Sequence, residues 1–273
     1  MPGRLLHVSD LHTGTREDPE TESALGSLIE RTEPELIVAS GDLTHRGLRE
    51  QHERAARFLR SFGRPVVAIP GNHDMPYTFP ARFTRTYAEF ERQWETTEPT
   101  VATEAFHVVG LNSSRRWRQQ GGALDDGQLR DAASRLGQAA DGAYRVVVLH
   151  HHMLGAPWRA ARKRPVSDRN RVLRALVEAG ADLILAGHIH QAAVSERHEF
   201  EVVDGEVRAA VVSIAPGLGQ PRPNRLGEAR GLHVYDVGDD TIAVSTYIWR
   251  RGDWGLTAQR IFPRGLGPLA VES

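Results

Sequence analysis

The stretch "RVVVLHHHMLGAP", Arg145 to Pro157, joins an uninterrupted apolar run to three consecutive histidines. A strand with one wet face alternates apolar and polar side chains, whereas one that is apolar at every position is covered on both faces. Val146–Leu149 therefore reads as a central strand of a layered α/β protein, and its end delivers a histidine. The same form recurs in "RLLHVS" (4–9), "ELIVAS" (35–40), "PVVAIP" (65–70), "AFHVVGLN" (105–112) and "ADLILAG" (181–187). Helix-like segments separate these runs at 21–32, 48–62, 80–95, 125–137 and 168–179. The last two open with "DDGQL" and "SDRN", which read as N-terminal caps.

Beyond Gly187 the pattern changes to β-rich runs, with hairpin signals at Asp204–Gly205 and at Gly238–Asp240. The expected fold is α/β, with two mixed β-sheets packed face to face as a sandwich flanked by helices. It would form one domain over 1–273, with a βα-rich half (1–190) and a β-rich half (191–273). There is no internal repeat or low-complexity tract.

At 273 residues, 40% of them hydrophobic and 25% charged, the chain has enough apolar material for a core and the balance of a soluble globular protein. A net charge of −1 gives no global pull towards nucleic acid or membrane. With no cysteine, disulfides, thiolate metal sites and cysteine nucleophiles are all excluded. No apolar run approaches the roughly 20 residues a membrane helix needs. The first strand begins at Arg4, which leaves no room for a secretion signal, so a cytoplasmic protein is expected.

Polar residues break the apolar strands in one consistent place, just past their ends. The first yields Asp10 and His12, the second Asp42, and the third Asn72, His73 and Asp74. The strand at 144–149 yields His150, and that at 182–186 yields His188 and His190. Ligands of open α/β sheets bind at this edge. In Asp-x-His and His-x-His two side chains share a face of an extended segment, as two ligands of one ion require. Imidazole, carboxylate and amide donors together suit Mn, Fe or Zn. Seven such donors exceed what one ion that also holds water can use; they fit two ions about 3.5–4 Å apart that share a bridging carboxylate. Among the three histidines, strand alternation lets His150 and His152 share a face with His151 opposed.

The ordered set "SDLH…SGDL…GNHD…LHHH…GHIH" resembles the calcineurin-like metallophosphoesterases, whose pattern is D-x-H, G-D, G-N-H-[DE], H and G-H-x-H. The resemblance runs from Asp10 to His190, and it is closest to bacterial cyclic-nucleotide and glycerophosphodiester phosphodiesterase-like members, through "HVSDLH", "GDLT" and "PGNHD". It implies one metal held by Asp10, His12, Asp42 and His190, and another held by Asp42, Asn72, His150 and His188, with Asp42 bridging. His73 would face the substrate, donating to a phosphate oxygen or protonating the leaving group, while Asp74 would orient or brace. His151 would support the ligands from behind. His152 stands where related phosphodiesterases carry proline. Some phosphoprotein phosphatases of the superfamily place an aspartate where His45 stands, to support the catalytic histidine. That support is missing from this sequence, and His45, next to Arg46, reads as part of a solvated loop.

The implied activity is metal-dependent hydrolysis of a small soluble phosphodiester, with a phosphomonoester as a further substrate and a cyclic nucleotide as one candidate. The loops 112–122, 156–165 and 215–231 would shape the substrate site, with Asn112 and Arg115 as contacts. A nuclease is the alternative, but the chain has neither an added domain nor a basic balance for nucleic acid. A non-catalytic interaction module, like the retromer subunit of this fold, would have lost ligands that this chain keeps. A homo-oligomer is compatible with the sequence.

Overall fold

Alternation along β1 (Gly3–Val8) sends Leu5 to one side and Leu6 and Val8 to the other, and all three are fully buried. In β6 (Tyr144–Leu149), Val146 and Val148 enter one core while Val147 and Leu149 enter another. The apolar run of the opening stretch is thus a strand shared between two cores. The structure, a computed structural model, describes residues 2–15, 19–118, 120–154, 163–198, 209–219 and 230–265, with 193–198 described as backbone.

The further elements in chain order are α1 (Pro19–Thr32), β2 (Leu36–Ala39), α2 (Arg49–Arg60), β3 (Val66–Ala68), α3 (Ala81–Thr84), α4 (Ala88–Trp94), β4 (Thr100–Ala102), β5 (Phe106–Leu111) and α5 (Asp126–Leu136). After β6 come α6 (Arg169–Glu178), β7 (Leu183–Ala186), β8 (Ala193–His198), β9 (Ala209–Ile214), β10 (Gly231–Val237), β11 (Thr241–Arg250) and β12 (Asp253–Pro263).

One sheet has the order β12-β11-β10-β1-β2-β3 and the other β4-β5-β6-β7-β9-β8. Strands β1, β2 and β3 run parallel, as do β5, β6, β7 and β9. Antiparallel strands complete both sheets: β10 pairs β1, with Leu5 opposite Tyr235, and β4 and β8 pair β5 and β9. Leu5, Leu36, Val38 and Val67 of the first sheet pack against Phe106, Val108, Val146 and Leu183 of the second. Helices α1, α2 and α4 cover the first sheet through Leu25, Leu28, Leu59 and Phe90. Helices α5 and α6 cover the second through Leu129, Leu136, Val172 and Leu176. The expected helix-flanked sandwich is what forms. No described helix is long and apolar enough to cross a membrane.

Two local expectations need correction, and two strands were not anticipated. The helix expected over 80–95 is two pieces, because the Thr84 and Thr86 hydroxyls donate to the carbonyls of Pro80 and Arg82 and compete with continued helix. Strands β4 and β12 carried no sequence expectation. Asp168 is not a side-chain cap: it sits at φ 50° with no capping bond, whereas Asp125 accepts from Gln128 in a reciprocal capping box. The hairpin turn at Asp204–Gly205 lies outside the described residues, and the Gly238–Asp240 turn joins β10 to β11 as expected.

The two caps therefore respond differently to substitution. Asp125→Ala is expected to lower unfolding free energy by about 1 kcal/mol. Asp168→Gly is expected to cost nothing, since glycine adopts a positive φ freely. Urea unfolding of both variants checks the contrast.

Candidate metal centre

The strand ends are tied to one another before any side chain is placed. Asp10 N–H donates to the Gly41 carbonyl at 2.9 Å and His12 N–H to the Asp42 carbonyl at 3.0 Å. Gly187 N–H donates to the His150 carbonyl at 3.0 Å within the second sheet. The sheets meet where His188 N–H donates to Asp10 Oδ2 at 2.9 Å and where His150 Nδ1–H donates to the Ser40 carbonyl at 2.8 Å. Asp10, His12, Asp42, His188 and His190 all adopt φ between 50° and 74°. For L-residues this left-handed conformation costs roughly 1–2 kcal/mol each, and it is held only where the surroundings over-determine it. Two glycines make the crowding feasible. A Cβ on Gly187 would fall 1.8 Å from Ser9 Oγ, and one on Gly71 would fall 2.2 Å from Asp42 Oδ1.

The side chains converge in two buried groups whose donor atoms lie close enough to share an ion: Asp10, His12 and His190, and Asp42, His150 and His188. In the first, His190 Nε2 is 2.9 Å from Asp10 Oδ1 and 3.2 Å from His12 Nε2. In the second, His150 Nε2 is 3.3 Å from Asp42 Oδ2 and 3.2 Å from His188 Nδ1. The groups are joined by Asp42, whose Oδ2 also lies 4.0 Å from His12 Nε2. Outer partners aim the rings: the Ser40 carbonyl takes His150 Nδ1–H, and the Gln120 carbonyl accepts from His188 Nε2 at 3.2 Å. Asp10 Oδ1, Asp42 Oδ2 and Asn72 Oδ1 are buried without a well-directed hydrogen bond. Carboxylate and imidazole lone pairs facing one another at such distances repel unless a cation lies between them.

The other expected residues fall around this centre in different ways. His73 N–H donates to Asp42 Oδ1 at 2.8 Å, and its ring lies 4.8 Å from that of His12. Asp74 braces: its carboxylate accepts from the N–H groups of Gly71, Leu43 and Thr44, and so ties the loop after β3 to the loop after β2. His151 is fully buried, bonds Ser113 Oγ through Nδ1 at 2.9 Å, and packs on the His150 and His188 rings. His152 is also buried, 6.0 Å from the His188 ring and nearly parallel to it. Asn112 and Arg115 are turned to local work. Asn112 Oδ1 accepts from Ser114 N–H, and Arg115 bonds the Asn112 carbonyl and Gln128 Oε1. His45 differs from its expectation as solvated loop: it is half-buried and joins His12 and His73 in a third cluster of imidazoles. The Gln120 carbonyl and Tyr77, whose hydroxyl reaches His73 Nδ1, were not singled out in the sequence. A backbone carbonyl has no residue signature, and a tyrosine near a loop reads as ordinary packing.

Burial sets the charge states. It holds His12, His151 and His188 well below the ordinary histidine range, and lowers His152 to about 4 with help from charge on His150. Burial opposes charge on His150 too, but the Asp42 carboxylate overrides it and raises this histidine to about 9. Asp10 and Asp42 lie well below the usual carboxylate range, because the surrounding histidines outweigh burial. In the metal-free protein four histidines are therefore kept neutral that titrate near 6.5 when unfolded. Below that pH the unfolded chain binds more protons, so stability falls with acid. His150 works in the opposite sense: its contribution is complete below about 6.5 and fades as pH rises through about 9. The thermal midpoint of chelator-treated protein is expected to drop from pH 7 to pH 5, more steeply than from pH 7 to pH 9. Calorimetry across that range checks this.

Residues 3–192 match the model of the calcineurin-like phosphoesterase family. The chain is 30% identical to the 3′,5′-cyclic adenosine monophosphate phosphodiesterase CpdA of Haemophilus influenzae, over 73% of this chain and 74% of that protein. It is 26% identical to the glycerophosphodiester phosphodiesterase GpdQ of Enterobacter lignolyticus, over 72% and 74%. Among solved structures it is similar to the purple acid phosphatase PPD1 of yellow lupin. The TM-score is 0.69 at 11% identity, over 96% of this chain and 53% of that longer one. With the pattern from Asp10 to His190 gathered at one edge of a two-sheet sandwich, the chain belongs to the calcineurin-like phosphoesterase family of metal-dependent phosphoric ester hydrolases.

Proposed function

We propose that the chain hydrolyses the phosphodiester bond of a small soluble substrate with the aid of two metal ions, and that a cyclic nucleotide is the leading candidate. The observation that carries this reading is the position of Asp42, one carboxylate oxygen of which lies between the two groups of donors. The donor set fits the ions: buried oxygens lacking well-directed hydrogen bonds, imidazole nitrogens aimed by carbonyls behind them, and no thiolate. Asp10, His12, Asp42 and His190 would hold one ion, and Asp42, Asn72, His150 and His188 the other, with Mn, Fe or Zn as candidates. When bound, such a pair supplies a hydroxide nucleophile near neutral pH and offsets charge on the ester's oxygens.

The chain's own residues do the rest. The backbone bond from His73 N–H to Asp42 fixes that histidine beside the bridging carboxylate, where its ring can hand a proton to the departing alkoxide. Asp74 keeps the two loops that carry Asp42 and His73 in register. His151 presses on the His150 and His188 rings and limits their rotation. The similarity to the cyclic-nucleotide and glycerophosphodiester phosphodiesterases supports a small diester over a polymer. We read the chain as one domain acting in the cytoplasm.

Two measurements test the proposal. Purified protein supplied with Mn²⁺ should turn over bis(p-nitrophenyl) phosphate and at least one natural diester from a panel of cyclic nucleotides and glycerophosphodiesters. His73→Ala should lower the rate about 10²- to 10⁴-fold with metal content retained. Elemental analysis should show Asp42→Ala losing both ions, and full metal retention by that variant would remove the bridging role. A metal-loaded protein with no turnover of any phosphodiester would overturn the enzymatic reading.

A further inference from the structure

We propose that the cavity between α1 and α2 is a second ligand site, for a small amphipathic anion, and that its occupancy is coupled to metal binding through the segment 11–15. The cavity measures about 340 Å³, within the range of small-molecule sites. It lies on the helix-covered side of the first sheet, where Leu11, Leu25, Phe58 and Leu218 form its apolar surface. Three arginines face it, Arg54 and Arg57 from α2 and Arg230 from just before β10, and Glu22 is the one carboxylate in the lining. Arg230 is fixed in the wall: its Nη1–H donates to Thr21 Oγ1 at 2.7 Å and its Nε–H to the Leu218 carbonyl at 3.3 Å. A guanidinium held in advance loses little freedom when it meets a carboxylate, sulfonate or phosphate. Arg57 is exposed and makes no ion pair among the described residues. This lining suits an apolar body laid on the leucines and Phe58, with one negative head towards Arg57 and Arg230. A purely ionic ligand would leave the apolar surface wet, and an uncharged one would gain nothing from the arginines.

The facing wall is the segment that presents donors of the first metal group. Leu11, His12, Thr13 and Thr15 line the cavity, and Asp10 and His12 belong to that group. Main-chain bonds hold the segment: His12 N–H donates to the Asp42 carbonyl and Thr13 N–H to the Leu43 carbonyl, both at 3.0 Å. Gly219, which also lines the cavity, donates to the Asp10 carbonyl at 3.0 Å. His12 keeps φ 50° there, a conformation that persists only while its surroundings impose it. A ligand packed on Leu11, Thr13 and Gly219 adds to those surroundings and favours the backbone that the ion requires. Linkage makes the effect reciprocal, so the ion tightens the ligand by the factor by which the ligand tightens the ion.

The coupling rests on the two-ion reading and the cavity does not, so one experiment can separate them. The probe is 1-anilinonaphthalene-8-sulfonate, an apolar body with one sulfonate, titrated by calorimetry and by its fluorescence. It should bind the folded wild-type protein saturably at a single site. Arg57→Glu, on an exposed side chain, should weaken it about ten-fold with the unfolding midpoint and manganese content unchanged. The uncharged analogue N-phenyl-1-naphthylamine should bind more weakly than the sulfonate. Saturating Mn²⁺ should tighten the probe about five-fold or more, and the probe should tighten Mn²⁺ by the same factor. Absence of saturable binding, or binding that Arg57→Glu leaves unchanged, would overturn the ligand site. Competitive displacement of the probe by bis(p-nitrophenyl) phosphate would also overturn it, since the cavity would then be part of the substrate site. Arg57-dependent binding that ignores Mn²⁺, in protein that takes up the metal, would overturn the coupling and leave the two-ion reading intact. If the protein takes up no metal, the two-ion reading and the coupling fail together, and the Arg57 comparison alone decides the ligand site.

Discussion

The structure turns on the burial of lone pairs that face one another. Asp10, Asp42, His150 and His188 have no solvent-exposed surface, and His12 and His190 are 5% exposed, yet their oxygens and nitrogens crowd together, with Asp10 Oδ1 and Asp42 Oδ2 lacking well-directed hydrogen bonds. Burying polar atoms in this state is costly in an apolar interior, and burying carboxylates costs more. A cation held at each group, as the proposed two-ion centre requires, would turn that repulsion into coordination. The left-handed backbone at five of the seven candidate ligands belongs to the same constraint, since local strain persists only where tighter interactions impose it.

The fold explains how that constraint is met. Parallel strands in two sheets end at a common edge, so a short overrun past each strand, from one residue at His150 to four at Asn72, places side chains in the same small volume. The sheets are locked there by main chain as well as by side chains: the Ser40 carbonyl of the first sheet holds His150 of the second, and Asp10 holds the N–H of His188. The C-terminal strands close the first sheet through β10 against β1, and Leu218 and Gly219 bond back to Ser9 and Asp10. Glycine at 71 and 187 removes the atoms that would keep the loops apart.

Much of this was legible in the sequence, for one physical reason. A polar residue that ends an apolar strand is conspicuous, so Asp10, His12, Asp42, Asn72, His150, His188 and His190 stood out, and the all-apolar runs announced doubly covered strands. What was not legible came from backbone and context. The Ser40 and Gln120 carbonyls that aim His150 and His188 could belong to any residue. The positive φ values carry no residue signature when Asp and His adopt them. Arginine near a candidate site suggests phosphate, but Arg115 is spent on Asn112 and on Gln128 of the α5 capping box. Asp168 has a cap's chemistry in a conformation that cannot cap. His45, adjacent to an exposed arginine, looked like surface and instead sits beside His12 and His73.

The most direct test of the two-ion centre is the anomalous scattering of crystals of the manganese-loaded protein. Two peaks about 3.5–4 Å apart, one among Asp10, His12 and His190 and the other among Asn72, His150 and His188, with Asp42 touching both, are what the account predicts. A single peak, or metal bound away from Asp42, would contradict it.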